Sequence, residues 1–178
     1  LRLHGISHDA WNRYSDKGSW MYDVTEIGFK YNMSDISAAL GISQLARYQD
    51  MWMKRKRVAE MYSEAFKGIP RIGSCQVREG RESAWYLFPI ILDVERLAIT
   101  RDDFIIELRA RGITCSVHFI PLHRFSYYKK AGYRAEQYPN AEWAFPRTLS
   151  LPIFPGMTDE EVRYVADNVI EVIGAHAK

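Results

Sequence analysis

Between Met33 and Phe66 the apolar residues Met33, Ile36, Leu40, Leu45, Tyr48, Trp52, Val58, Tyr62 and Phe66 keep returning to one side of a helix. Run without interruption, such a helix would be about 50 Å long at about 1.5 Å per residue. That exceeds what one small domain needs, so the pattern predicts a long, kinked linking helix with its break between Gly41 and Asp50. Asn32 or Ser34 is placed to cap its start by accepting a first-turn N–H, and Gly68 with Pro70 stops it. The basic run Lys54, Arg55, Lys56 and Arg57 alternates with apolar positions, as a solvated face paired with acids does.

The segments on either side of this helix differ in character. Residues 1–32 place Trp11, Tyr14, Trp20 and Tyr22 among Asp, Ser, Asn and Gly at no regular period, which predicts a loop region lying on something large. The opening at Leu1 reads as a piece of something longer. Beyond the helix, Arg71–Ser83 reads as a loop and Trp85–Leu92 as a buried strand in which Pro89 requires an edge or a bulge. Thr100, followed by Arg101, Asp102 and Asp103, opens a helix that turns Phe104, Ile105 and Leu108 inward and closes at Arg111-Gly112. Ile113–Phe119 then reads as a second strand and Leu149–Pro152 as a short third, with short helices after Pro121 and Pro139. A last helix starts at Thr158 and lines one side with Val162, Val165, Ala166, Val169, Ile170 and Ile173. The expected architecture is an α/β fold of the α+β kind: a linking helix over 33–68, then a small C-terminal domain over 69–178 with about three mostly antiparallel strands on helices.

Charge and cysteine usage narrow the function. With 24 basic and 22 acidic side chains the net charge is +2, too little for a nucleic-acid footprint or a polybasic membrane patch. Cys75 and Cys115 form neither a metal pair nor a disulfide framework, which points to core thiols in a reducing compartment. The chain carries no apolar run long enough to span a bilayer and no signal-peptide order at Leu1, so a soluble, cytoplasmic protein is expected. It also lacks a G-x-S-x-G elbow and a phosphate-cradling glycine loop, which excludes the familiar hydrolase and nucleoside-triphosphatase designs.

Two places offer chemistry. Lys30, Tyr31 and Asn32 set a cation, a phenol and an amide just ahead of a capped helix start, where the helix dipole favours an anion such as phosphate. Spacing alone favours an ordinary capped helix with an exposed lysine for the same residues. His118 and His123 flank Phe119-Ile120-Pro121-Leu122 on irregular backbone, with no nearby Glu or Cys to complete a zinc set. They can instead bond sugar hydroxyls or a phosphate, or be packed histidines with one partner each.

The string GFKYNMSDISAALGISQL (Gly28–Leu45), together with HFIPLH (His118–His123) and SLPIFPGMTDEE (Ser150–Glu161), resembles the DegT/DnrJ/StrS family of pyridoxal-phosphate-dependent nucleotide-sugar aminotransferases. The resemblance runs from about Leu3 to Ile173, His4-Gly5 included, and its K-Y-N variant is most similar to the branch that aminates UDP-4-keto-arabinose. It implies the small C-terminal domain of the aspartate-aminotransferase fold, a homodimer, pyridoxal 5'-phosphate as cofactor, and glutamate and a keto-sugar nucleotide as substrates. It further implies that Lys30 and Asn32 reach the cofactor phosphate of a neighbouring subunit, and that Tyr31, His118 and His123 border the sugar nucleotide. Many members carry Asn at the position of Lys30 and Arg at that of Asn32, so the phosphate donors differ here. The family's cofactor-bonding lysine follows an S-F-x-x-x-K string that no part of 1–178 matches in the right order; Lys129 comes after HFIPLH and is a decoy. By this resemblance the chain holds no catalytic residue and is inactive alone. Two further readings stay open: a non-catalytic binding or dimerisation module on the same scaffold, and a sugar dehydratase with histidine in place of the lysine.

Overall fold

The computed structural model describes residues 3–6 and 23–178; the aromatic residues Trp11, Tyr14, Trp20 and Tyr22 lie outside the described residues. The chain divides into two compact units, Leu1–Tyr48 and Gln49–Lys178.

In the first unit two antiparallel bridges, Leu3 with Lys30 and Ile6 with Val24, draw the start of the chain along the segment that leads into the first helix. Gly5 makes this possible. Its φ is +74°, and a Cβ there would lie 1.9 Å from the carbonyl oxygen of Glu26, so no other residue fits. The ribbon delivers the chain to α1 (Asp35–Ala46), whose N-cap Ser34 accepts a hydrogen bond from the Ser37 amide at 3.3 Å. Asn32 was the alternative cap; Ser34 takes the role.

Arg47 separates α1 from α2 (Tyr48–Ala65), so two helices occupy the stretch where the apolar period runs on. The unit division falls within this helical stretch. On α2, Val58, Ala59 and Tyr62 are buried, and Phe66 just beyond it joins them. Three of its four clustered cations are paired: Lys54 with Asp50, Lys56 with Glu60 and Arg57 with Asp159.

The second unit is built on an antiparallel sheet of order β1-β2-β3, formed by Ile72–Ser74, Phe88–Leu92 and Thr148–Leu151. Phe88, Ile90 and Leu92 lie opposite Leu151, Leu149 and Ile72, so one sheet face is continuously apolar. Against the core they form are packed Val58 and Tyr62 of α2, Phe104 and Leu108 of α3 (Arg101–Ala110) and Val162, Val169 and Val172 of α6 (Asp159–Ala175). Both α3 and α6 open with reciprocal capping boxes, Thr100 with Asp103 and Thr158 with Glu161. Two short helices, α4 (Ser126–Lys130) and α5 (Pro139–Ala144), fill the segment between Pro121 and β3. No helix among the described residues is long and apolar enough to cross a membrane.

Pro89 stands in the central strand, yet its missing N–H leaves no gap. Ser150, its partner on β3, gives both backbone groups to Ser116 on the far side, so Pro89 and Ser150 are a non-hydrogen-bonded pair. The N–H that Pro89 lacks would point toward β1, which has already ended at Ser74. The residue is locally at an edge although the strand is not.

Three expectations need correction. Ile72–Ser74 pairs as β1 inside the segment read as a loop; with three residues and Gly73 at its centre it shows no period of its own. The strand read over Ile113–Phe119 reduces to a single bridge, Ser116 with Ser150. Ile113 and Cys115 are still buried in alternation, but the ladder cannot extend: Pro152 has no N–H for the next rung on one side, and on the other the Thr148 carbonyl accepts from Arg101 at 3.0 Å. Cys115 is the buried thiol expected, and burial pushes its pKa up to about 11, whereas Cys75 is exposed.

Candidate functional site

In the segment ahead of α1, Phe29 and Tyr31 stack with ring centroids 5.0 Å apart and planes 5° from parallel. Side chains two apart on extended backbone project to one side, so Lys30 and Asn32 share the other. Both are exposed, and neither side chain has a hydrogen-bond or ion-pair partner among the described residues. A free ammonium and a free amide on one side, next to an N-capped helix start, supply donors for a phosphate oxygen. The three consecutive residues Lys30, Tyr31 and Asn32 therefore separate: the two donors go together, and Tyr31 is held by Phe29.

His118 stands two residues past the Ser116 bridge, at the point where pairing with β3 has ended. Its Nδ1 lies 3.0 Å from the hydroxyl of Ser150, itself buried and fixed by two backbone hydrogen bonds to Ser116 at 3.1 and 2.7 Å. That contact sets the ring orientation and leaves Nε2 as the nitrogen available to a ligand. The imidazole is exposed, packs edge-on against Phe119 and lines a cavity of ≈ 350 Å³ with Pro121, Ala144 and Phe145.

His123 is placed differently. It sits in a single 3-10 turn, Leu122–Arg124, and is only 6% exposed. Its Nε2 lies 2.6 Å from Glu142 Oε1 on α5, and its ring stacks on Tyr138 at 4.8 Å. Arg124 next to it donates to both oxygens of the same carboxylate, from Nε at 2.7 Å and from a terminal nitrogen at 2.5 Å. The Arg124 hydrogen bonds first, and that of His123 second, hold the Glu142 carboxyl at about 2. Phe145 completes the arrangement beneath Arg124, with a 4.7 Å distance from guanidinium carbon to ring centroid, and also faces Arg101 at 5.2 Å. His123 lines a second cavity, of ≈ 800 Å³, so the two histidines of HFIPLH face different cavities.

Ser150, Arg124 and Glu142 did not emerge from the sequence. Arg124 is adjacent to His123, and Glu142 lies at the start of the helix opened by Pro139, but nothing local signals that they meet across 18 positions. Lys129 is exposed, and its ammonium has no acceptor among the described residues. No group of three or more His, Cys, Asp or Glu placed to hold a metal ion occurs among the described residues.

The profile of the DegT/DnrJ/EryC1/StrS aminotransferase family matches residues 1–170. Among curated proteins, the chain is 43% identical to the spore coat polysaccharide biosynthesis protein SpsC of Bacillus subtilis, over 97% of this chain and 44% of that protein. Among solved structures it is similar to Spr1654 of Streptococcus pneumoniae, assigned as a sugar aminotransferase and solved in its PMP form: TM-score 0.82, 34% identity, 98% of this chain and 43% of that one. It is similar also to PseC of Helicobacter pylori, an aminotransferase involved in pseudoaminic acid biosynthesis, with a TM-score of 0.79 and 25% identity over 98% of this chain and 44% of that one. The chain thus spans less than half the length of these relatives.

Proposed function

The chain belongs to the DegT/DnrJ/EryC1/StrS aminotransferase family, and from that premise we propose that the protein is a pyridoxal 5'-phosphate-dependent sugar aminotransferase. In this reading it moves an amino group from glutamate to a keto-sugar nucleotide during polysaccharide biosynthesis. The observation that carries the reading is the likeness, over 98% of the chain, to a protein solved in both its PLP and PMP forms. The name of SpsC supports the polysaccharide context. Within the family, the K-Y-N lead-in at Lys30–Asn32 favours the branch acting on UDP-4-keto-arabinose. The free thiols fit a cytoplasmic setting.

Bound pyridoxal 5'-phosphate supplies the electron sink that amino transfer requires. The residues of this chain fit the supporting roles. Lys30 and Asn32, without partners among the described residues, would hold the cofactor phosphate of the second subunit of a homodimer, beside the capped start of α1. Tyr31, backed by Phe29, and His118, oriented by Ser150, border the sugar nucleotide. His123 does so through Nδ1, its Nε2 being taken by Glu142. None of these side chains is assigned to carry the cofactor, and the chain alone is expected to be inactive.

The test is cofactor uptake by the complete protein. A visible absorbance band from added pyridoxal 5'-phosphate is expected, and Lys30→Gln is expected to raise the cofactor concentration needed by about tenfold through loss of one charge-assisted contact. A complete protein that stays colourless with excess cofactor would overturn the reading in favour of a non-catalytic dimerisation module.

A further inference from the structure

A third cavity, of ≈ 560 Å³, lies beside the start of α6 and shares no lining residue with the cavities of His118 and His123. Its lining includes the buried Ile113, Met157 and Val165 and, nearer solvent, Pro152, Phe154 and Tyr164. These walls are held in place. The Met157 amide donates to the Phe154 carbonyl at 3.3 Å, closing the turn that brings both side chains to the cavity, and Arg57 of α2 donates to the Met157 carbonyl. The Tyr164 hydroxyl donates to the Arg111 carbonyl at 3.0 Å, so its polar tip is spent and its ring is left to the wall. The volume falls within the range of small-molecule clefts, about 300–1,000 Å³.

Charge on the lining has one sign. Glu160 and Glu161 belong to it, and among the described residues no cation does. The cations close by are engaged elsewhere: Arg111 with Asn168 and Glu171, each at 3.0 Å, and Arg163 with Asp159 at 3.8 Å. Glu161 gives Oε2 to the Thr158 amide at 2.8 Å and keeps Oε1. Its own amide first, and the Thr158 side chain second, hold the Glu160 carboxyl below its usual range, so it is charged at neutral pH. An anion entering here meets two carboxylates, and a neutral apolar molecule strips water from them without replacing it. An apolar body that ends in a cation satisfies both parts of the lining: the chain covers the apolar wall, and the charge meets the carboxylates beside two aromatic rings.

We propose that this cavity binds an apolar ammonium ligand, an alkyl or aryl chain ending in a protonated amine, with the chain against Met157, Phe154 and Tyr164 and the ammonium at Glu160 and Glu161. The same carboxylates turn away any ligand that presents a phosphate. The site goes beyond the aminotransferase reading and does not depend on it.

The test is calorimetric titration of the complete protein with N,N-dimethyl-4-phenylbutylamine, a tertiary ammonium at neutral pH that cannot condense with a cofactor aldehyde. The comparison probes are 4-phenylbutanol and 4-phenylbutyrate, which carry an alcohol and a carboxylate on a similar chain. Saturable one-to-one binding that weakens with salt is expected for the ammonium, about tenfold weaker binding for the alcohol, and none for the carboxylate. Glu160→Gln should weaken the ammonium a few-fold and leave the alcohol unchanged. Thr114→Trp, which sets an indole into the cavity from its exposed wall, should abolish both. Both positions are exposed, so the unfolding midpoint should stay where it is in each variant. No saturable binding of the ammonium, or binding of the alcohol or the carboxylate as tight as that of the ammonium, overturns the proposal. So does ammonium binding that neither variant changes. The probe makes no bond to the cofactor, so failure here leaves the colour test of the aminotransferase reading intact, and the converse holds too.

Discussion

Helices α1 and α6 differ in composition in the direction opposite to their burial. α1 carries one charge, Asp35, in twelve residues, yet none of its residues is buried, and Ile36, Leu40, Ile42 and Leu45 are all exposed. α6 has an acidic first turn and further charges along its length, yet Val162, Val165, Ala166, Val169, Val172 and Ile173 are buried. An amphipathic helix declares both its partner and its solvent face, because the polar side must be wet for the apolar side to be covered. A helix apolar nearly all round declares only that it needs cover on several sides. The second unit covers the apolar face of α6, whereas no residue of α1 is buried within its own unit. An exposed apolar surface of that extent marks a surface for interaction.

The comparison breaks most visibly under truncation. Ile173→Ala on α6 is expected to cost about 2–5 kcal/mol in denaturant unfolding of the second unit, the range for emptying a filled core position. Leu40→Ala on α1 should stay within about 0.5 kcal/mol in the same measurement, as surface substitutions do. A comparable loss at Leu40 would mean that α1 is already covered within the chain.

Tyr62 tests how far the α2 core depends on one polar contact. Its buried phenol donates to the Pro152 carbonyl at 2.9 Å, so Tyr62→Phe leaves a carbonyl unsatisfied and should cost about 1–3 kcal/mol. Burial, and to a smaller degree Cys115, pushes the Tyr62 pKa upward. A raised folded-state pKa contributes stability that is complete below the ordinary tyrosine value of about 10 and is lost as pH climbs toward the folded one. Unfolding followed above about pH 10 should therefore show a steeper decline in the parent than in Tyr62→Phe.

The caps give a finer contrast. Thr158→Ala removes one half of a capping box on a helix whose face fills the core, and about 1 kcal/mol should be lost from the global transition. Ser34→Ala removes the corresponding bond at α1. There the expected change is local fraying, read as faster amide exchange in the first turn with the midpoint of the second unit unmoved.

What the sequence disclosed follows the same division between local and distant causes. The starts of α3 and α6 were legible because Thr100 and Thr158 meet their partners three residues on. The inward residues of α6 were legible because one period governs them. β1 was not, since Ile72–Ser74 becomes a strand only by lying against Ile90–Leu92. Ile113–Phe119 was misread because its alternation is real while its ladder is blocked by Pro152 and Arg101, which sequence proximity does not reveal. His118 and His123 stood out as residues, but what fixes them did not: Ser150 lies 32 positions from the first and Glu142 19 from the second. Cys75 and Cys115 looked alike in the sequence, and only packing tells the exposed thiol from the buried one.

Glu142 offers the most delicate test of whether the segment between Pro121 and β3 is held by charge where α6 is held by packing. Its carboxyl sits at about 2 because Arg124, and then His123, bond the ionised form. A depressed folded-state pKa contributes stability that is present above the unfolded carboxyl value and is lost as pH falls through the folded one. Acid titration from about pH 4.5 downward should therefore loosen the His123–Tyr138 stack while the α6 core holds. Near-ultraviolet dichroism of Tyr138 and of Tyr133, whose ring centroid lies 6.5 Å from it, should report the loosening ahead of the loss of far-ultraviolet helix signal. In Glu142→Gln the early phase should vanish, because an amide neither titrates nor binds Arg124 as a carboxylate does. If both signals fall together in the parent protein, the segment is held by the same packing as α6, and the charge cluster is not its fastening.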